Sequence, residues 1–232
     1  MTARGGPQVI PRPDGARPGG PPPWSHLAPG ERRIGIDDLR RAFAGRVGEP
    51  SVVEAGSAAS PSAVLAAFWE HDGELEVLLT RRSQGLRSHS GEVSFPGGRS
   101  DPGEALADAA LREAAEEVAL DPSAVEALGE LDHLMTVTSR SFIVPFVGLL
   151  GGRPGVRIAS PAEVDAVLFV PVRELLLDEV YREERWRWAD HERDIFFFEL
   201  VGDTVWGATG AMLRQLLGLV TGTLQRGQLE HL

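Results

Sequence analysis

Glu113, Glu116 and Glu117 stand three and four residues apart, a spacing that puts all three carboxylates on one face of a helix. Like charges at those separations cost about 0.2–0.5 kcal/mol per pair, and acids in a last turn also oppose the helix dipole. A solvated helix face is the ordinary explanation of neighbouring acids. Here their surroundings favour a cation. Oxygen-only donors on one face suit Mg²⁺ or Mn²⁺, ions that keep several waters and share the rest of their shell with phosphate oxygens. The matching chemistry is metal-assisted attack of water on a phosphoanhydride, in which the protein mainly positions charge.

The positioning element is expected to be a helix from about Pro102 to Ala119. Asp101 reads as its N-cap, Pro102 as its first residue and Glu104 as the partner that closes a capping box. Ala107, Leu111, Ala114 and Val118 form an apolar stripe turned away from the glutamates. Arg112 lies four residues before Glu116 and four after Asp108, so it can bridge carboxylates at the flank of the site and hold one in orientation. Upstream, Phe95-Pro96-Gly97-Gly98 can bring bare backbone close to whatever the glutamates hold. Glu104 lies about half a turn from Glu113 and reads as a loop-fixing cap, not a ligand.

Gly98, five residues, Glu104, seven residues, Arg112-Glu113, Ala114-Ala115, Glu116-Glu117, Val118, Ala119, Leu120 resembles the Nudix box. Every charged position matches. The usual pattern has glycine where this chain has Ala119 and a larger aliphatic at Ala114. Alanine at a left-handed C-cap costs about 1 kcal/mol; otherwise the helix ends another way, helped by Asp121-Pro122. The resemblance implies an α/β fold, the Nudix-type α/β/α sandwich with a mixed β-sheet. It also implies cleavage of a nucleoside diphosphate linked to another moiety. By the same resemblance Glu113 and Glu117 are metal ligands, Glu116 a third ligand or water-orienting group, and the Gly98 carbonyl a further ligand. Glu116 and Arg112 are the expected catalytic residues.

A chain of 232 residues can hold one domain of about 160 to 190 residues plus extensions. The expected division is a Pro/Gly-rich flexible leader (1–30), an N-terminal helix and linker (31–61), a hydrolase domain (62–222) and a tail (223–232). The leader's own residues cannot build a core. Its arginines have the charge of a transit peptide without the serines or the amphipathic period. A net charge of −11 argues against a general nucleic-acid or anionic-membrane surface. There is no cysteine and no lysine, which excludes a disulfide framework, a thiol nucleophile, a cysteine zinc site and lysine chemistry. No apolar run reaches the roughly 18 residues of a membrane helix, and a secretory signal is not visible. A cytoplasmic enzyme is the expectation, with room for a homodimer.

Within the domain, apolar runs at Ala63–Glu70 and Leu75–Arg82 flank His71-Asp72-Gly73, a hairpin signal. Further strands are expected near Val125–Leu131, Phe142–Leu149, Ala166–Val170 and Ile195–Leu200. Short helices are expected at Ile36–Phe43 and after Pro171, and an amphipathic one at Thr209–Leu219.

The substrate is read outside the acidic helix. LLTRRSQGLRSHSGEVSFPGG, Leu78 to Gly98, is similar to the extra motif of the coenzyme A pyrophosphatase branch of the Nudix family, with Gln84 where that branch commonly has alanine. The likeness extends from about Ala63 to Thr221. It implies a nucleotide substrate of the coenzyme A class, cleaved to 3′,5′-ADP and 4′-phosphopantetheine. Arg82, Arg87 and Phe95 are the expected substrate-binding residues, arginine being suited to forked donation onto phosphate. Arg81 and Arg82 must face opposite ways in a strand. His89 meets a phosphate or caps the loop. Trp186, Trp188 and Phe196 to Phe198 could stack a base, but aromatics at strand spacing are more often core. A broader pyrophosphatase acting on ADP-ribose, NADH or nucleoside triphosphates is the alternative.

Overall fold

The computed structural model describes residues 3–50, 61–136, 142–188 and 191–224. Most of the linker (51–60) and of the tail (225–232) therefore lies outside the described residues. The two apolar runs become strands β2 (Pro61–His71) and β3 (Glu74–Arg82). They pair antiparallel across a turn whose Asp72 and Gly73 both take positive φ, as a two-residue hairpin with right-handed strand twist requires. β4 (Val93–Ser94), β5 (Gly97–Arg99), β6 (Val125–Glu130), β7 (Leu134–Met135), β8 (Phe142–Leu150) and β9 (Val164–Pro171) complete an eight-stranded sheet. β8 runs parallel to β2 while the other pairings are antiparallel, so the sheet is mixed.

The two faces of β2 bury different layers. Ala63, Leu65, Ala67 and Trp69 pack on α2 (Leu106–Val118) through Ala109, Ala110, Ala114 and Val118. Val64, Ala66 and Phe68 face the other layer, with Leu39 and Phe43 of α1 (Ile36–Phe43) and Leu213, Leu216 and Leu217 of α4 (Gly207–Val220). Helices thus cover both faces, as expected of an α/β/α sandwich. A one-turn helix α3 (Val172–Leu175) leads from β9 into a second sheet, ordered β1 (Arg17–Pro18), β10 (Tyr181–Trp188), β11 (His191–Glu199) and β12 (Thr204–Val205). Phe196 and Phe198 join the main core, whereas Phe197 packs with Trp186 and Ile195 on the opposite side. Of these aromatics the three phenylalanines are core, as expected; the side chain of Trp188 lies outside the described residues.

The expected flexible leader is not one in the structure. Segment 3–30 docks on the second sheet: β1 pairs with β10, and the Gly5 and Gly19 N–H groups donate to the Leu200 and Glu183 carbonyls at 2.7 Å. Trp24 is fully buried, donates its indole N–H to the Leu176 carbonyl at 3.1 Å, and meets Tyr181 edge-on and Phe198 in a stack. The composition argument counts only what a segment can bury against itself; one tryptophan and a row of backbone donors suffice against a sheet already formed.

Candidate active site

α2 starts later than its sequence suggests. Asp101 and Glu104 do exchange hydrogen bonds, with the Asp101 N–H on Glu104 Oε2 at 2.8 Å and the Glu104 N–H on the Asp101 carbonyl at 3.0 Å. Gly103 between them has a φ of +83°, so the box closes a turn and cannot open a right-handed helix. Helical geometry begins at Leu106, after Ala105. At the other end Ala119 is left-handed, with φ 55° and ψ 34°, and its N–H reaches the carbonyls of Ala114 and Ala115. The helix therefore ends in a glycine-type cap occupied by alanine.

Arg112 organises the acidic face. Its Nε and Nη2 grip the two oxygens of Glu104 at 2.9 and 3.1 Å, and Nη2 also donates to the Arg99 carbonyl at 3.0 Å. Nη1 reaches Glu113 Oε1 at 3.0 Å and Glu116 Oε2 at 3.2 Å. Asp108, expected as a partner, makes no such bond. One guanidinium thus orients two of the three glutamates and ties both to the loop through Glu104, whose carboxyl it holds below its ordinary value.

The third carboxylate faces inward. Glu117 is 3% exposed, and its Oε2 accepts the Gly97 N–H at 3.3 Å. β5 places Gly97 opposite Val64 and Gly98 opposite Ala63. A Cβ on Gly97 would lie 2.3 Å from the Ala63 carbonyl oxygen, and one on Gly98 2.5 Å from the Glu113 carboxylate. Those close approaches are what the two glycines permit. Burial pushes the Glu117 carboxyl up to about 7 against the pull of Arg82 and the Gly97 bond, with Glu113 and Glu163 adding to the rise. Glu113 is raised as well, first by burial and then by Glu116 and Glu163. Glu163 was not legible in the sequence. No spacing links it to α2; it arrives because β9 pairs with β3 through Arg82 and Val164.

This set fits a hard divalent ion. It offers only oxygens, and the two inward carboxylates carry charge that burial penalises and a cation would relieve. Among the described residues no three acidic or histidine side chains close around one point. Glu116 is turned outward onto Arg112 with its side chain 60% exposed. The fit is therefore to an ion that takes part of its shell from water and substrate, not to a protein-only cage.

A cleft of about 340 Å³ opens beside Gly97 and Gly98. Arg82, His89, Glu92, Ser94 and Phe95 line it from the motif segment, and Trp186, Arg193, Trp206 and Thr209 from the second sheet and α4. A register shift between Arg81 and Arg82 turns the two arginines to different uses. Arg81 pairs with Asp203 at 3.1 Å, while the Nε of Arg82 is buried without a partner in the cleft. His89 contacts Glu92 at 3.0 Å, which raises its pKa. Phe95 is 1% exposed and serves the core as much as the cleft. Arg87 is the expected residue the structure does not bring in: it is exposed on the loop after β3 and outside the cleft lining. Trp186 was set aside as core; it is fully buried and lines the cleft too.

The sequence profile of the NUDIX domain matches residues 59–201. Nudix hydrolase 3 of Caenorhabditis elegans is 33% identical over 186 residues, 74% of this chain and 78% of that one. Nudix hydrolase 22, chloroplastic, of Arabidopsis thaliana is 39% identical over 166 residues; the alignment takes in 66% of this chain and only 52% of that one. NudL of Escherichia coli K12, an uncharacterized Nudix hydrolase, is 41% identical over 142 residues, 60% of this chain and 72% of its own. Among solved structures, a NUDIX hydrolase from Alicyclobacillus acidocaldarius is similar with a TM-score of 0.48 and 21% identity, covering 75% of this chain and all of that one. The acidic helix α2 and the strands that position it lie inside the matched residues. The chain belongs to the Nudix family.

Proposed function

We propose that this Nudix hydrolase cleaves the diphosphate of coenzyme A and its derivatives, releasing 3′,5′-ADP and 4′-phosphopantetheine, with Mg²⁺ or Mn²⁺ as cofactor. The observation that carries the reading is the position of the Leu78–Gly98 segment. It is the stretch similar to the coenzyme A branch, and Arg82, His89, Glu92, Ser94, Phe95, Gly97 and Gly98 all line the cleft beside the glutamates.

The bound cation would neutralise the diphosphate and make water a competent nucleophile. Glu113, Glu117 and the Gly98 carbonyl would hold it, with Glu116 as a further ligand or as the group that orients water. The remaining work belongs to the chain. Arg112 fixes Glu113 and Glu116. The Gly97 N–H fixes Glu117. Arg82 supplies a buried, unpaired donor for a phosphate oxygen and lowers the Glu117 carboxyl toward its charged form. The apolar walls of the cleft exclude bulk water, which strengthens each of these contacts.

The test is turnover of coenzyme A, ADP-ribose, NADH and nucleoside triphosphates with each metal, products resolved by mass. Coenzyme A should be the best substrate by kcat/KM and give the two named products. Faster cleavage of ADP-ribose would overturn the assignment and favour a broader pyrophosphatase.

A further inference from the structure

The cleft wall contributed by the second sheet and α4 carries donors with nothing to donate to. Nη1 of Arg193 and Nε1 of Trp206 are buried without an acceptor, and both residues line the cleft. The acids next to Arg193 are already engaged, Glu192 with Arg17 and Asp194 with Arg185. Trp206 is held by its ring, stacked on Phe197 and tilted against Trp186, so its N–H has a fixed direction.

Trp206 is also the residue before α4, a helix of 14 residues with no side-chain cap and no acid in its first turn. The amides of Gly207, Ala208 and Thr209 have no acceptor within the helix, and all three residues line the cleft. Gly207 has a φ of +61°, with open space where a Cβ would stand. A left-handed residue followed by a helical one turns successive N–H groups toward a common concavity suited to an anion. Among the described residues Glu92 is the one acid in the lining, and it is held by His89.

We propose that Arg193, Trp206 and the first turn of α4 form a second anion subsite that takes a phosphomonoester carried by the substrate away from the scissile diphosphate. A guanidinium, an indole N–H, three backbone amides and the Thr209 hydroxyl offer more donors than a carboxylate needs and match the oxygens of a phosphate dianion. The inference rests on the reading of the cleft as a nucleotide diphosphate site. It places recognition of that phosphate outside the motif segment, away from the exposed Arg87.

The test is calorimetric binding of adenosine 3′,5′-bisphosphate and of AMP without added metal, to the wild type, Arg193→Gln and Trp206→Phe. The second variant removes the N–H and keeps an aromatic ring, and thermal melts confirm that each is folded. The wild type should bind the bisphosphate about 10- to 100-fold more tightly than AMP, the scale of charge-assisted hydrogen bonds to buried donors. Arg193→Gln should abolish most of that preference and Trp206→Phe part of it, with AMP affinity nearly unchanged. A wild type without the preference, or variants that lose both ligands equally, would overturn the subsite. If the preference holds while coenzyme A is not hydrolysed, the substrate assignment falls and the subsite stands.

Discussion

Replacing Glu117 by glutamine should make the protein more stable and almost inactive. The carboxyl is 3% exposed, and burial moves it from 4.5 to about 7. In the unfolded chain it ionises freely above its ordinary value; in the fold it must either keep its proton or carry a charge in a dry place. Below about pH 4.5 both states hold the proton and no penalty exists. As pH rises toward 7 the metal-free fold loses stability relative to the unfolded chain, on the order of 3 kcal/mol for a shift of this size. Glutamine keeps the volume and an oxygen for the Gly97 N–H, and removes the charge. In EDTA at pH 8 the variant should therefore melt about 5 to 10 °C above the wild type, with the gap closing near pH 4.5. Because one residue changes, other titrating groups cancel in the difference. Mg²⁺ at pH 8 should raise the wild-type Tm more than the variant's, and turnover of the variant should fall by several orders of magnitude. Differential scanning across pH with and without metal measures all of this. A variant no more stable than wild type at pH 8, or a gap equally large at pH 4.5, would refute the link between burial, charge and metal.

Trp24→Ala should cost about 3–5 kcal/mol, since the ring is fully buried and its N–H is bonded; a chemical melt within 1 kcal/mol of wild type, well under the usual range for such a truncation, would show that segment 3–30 does not hold to the sheet. Ala119→Gly should gain about 1 kcal/mol, because the left-handed cap is strained for alanine, and should leave kcat alone; a destabilised variant would mean that Ala119 leaves that conformation in solution.

The sandwich was legible because its main strands are short continuous apolar runs and its acidic helix repeats with period 3.6, and each pattern is complete within about a dozen residues. β2, β3, β8 and α4 fall where their patterns put them. The short strands β1, β4, β5, β7 and β12 are two or three residues long and exist only because a neighbour offers an edge. The site divides the same way. Glu113, Glu116, Glu117 and Arg112 lie on one helix and could be found by spacing. Glu163, Arg193 and Trp206 come from elements joined only by tertiary pairing, and no local pattern marks them. The start of α2 was misplaced because Gly103, which reads as tolerable in a helix, is left-handed and breaks it.

The docking of residues 4 to 24 also sets an order of assembly. Gly6 and Gln8 bond to Thr204 and Asp203, partners up to 198 residues away in sequence, and Pro11 from the same segment lines the cleft. On a ribosome these first residues emerge long before β10 to β12 exist, so they stay undocked until nearly the whole domain has been synthesised. Contacts that close so large a loop come late in folding and open early in native-state fluctuations. Part of the cleft lining, at Pro11, thus belongs to the last piece to settle. Hydrogen exchange should be faster there than in β2 or α2, and the cleft should widen and narrow with that segment while the glutamates stay fixed.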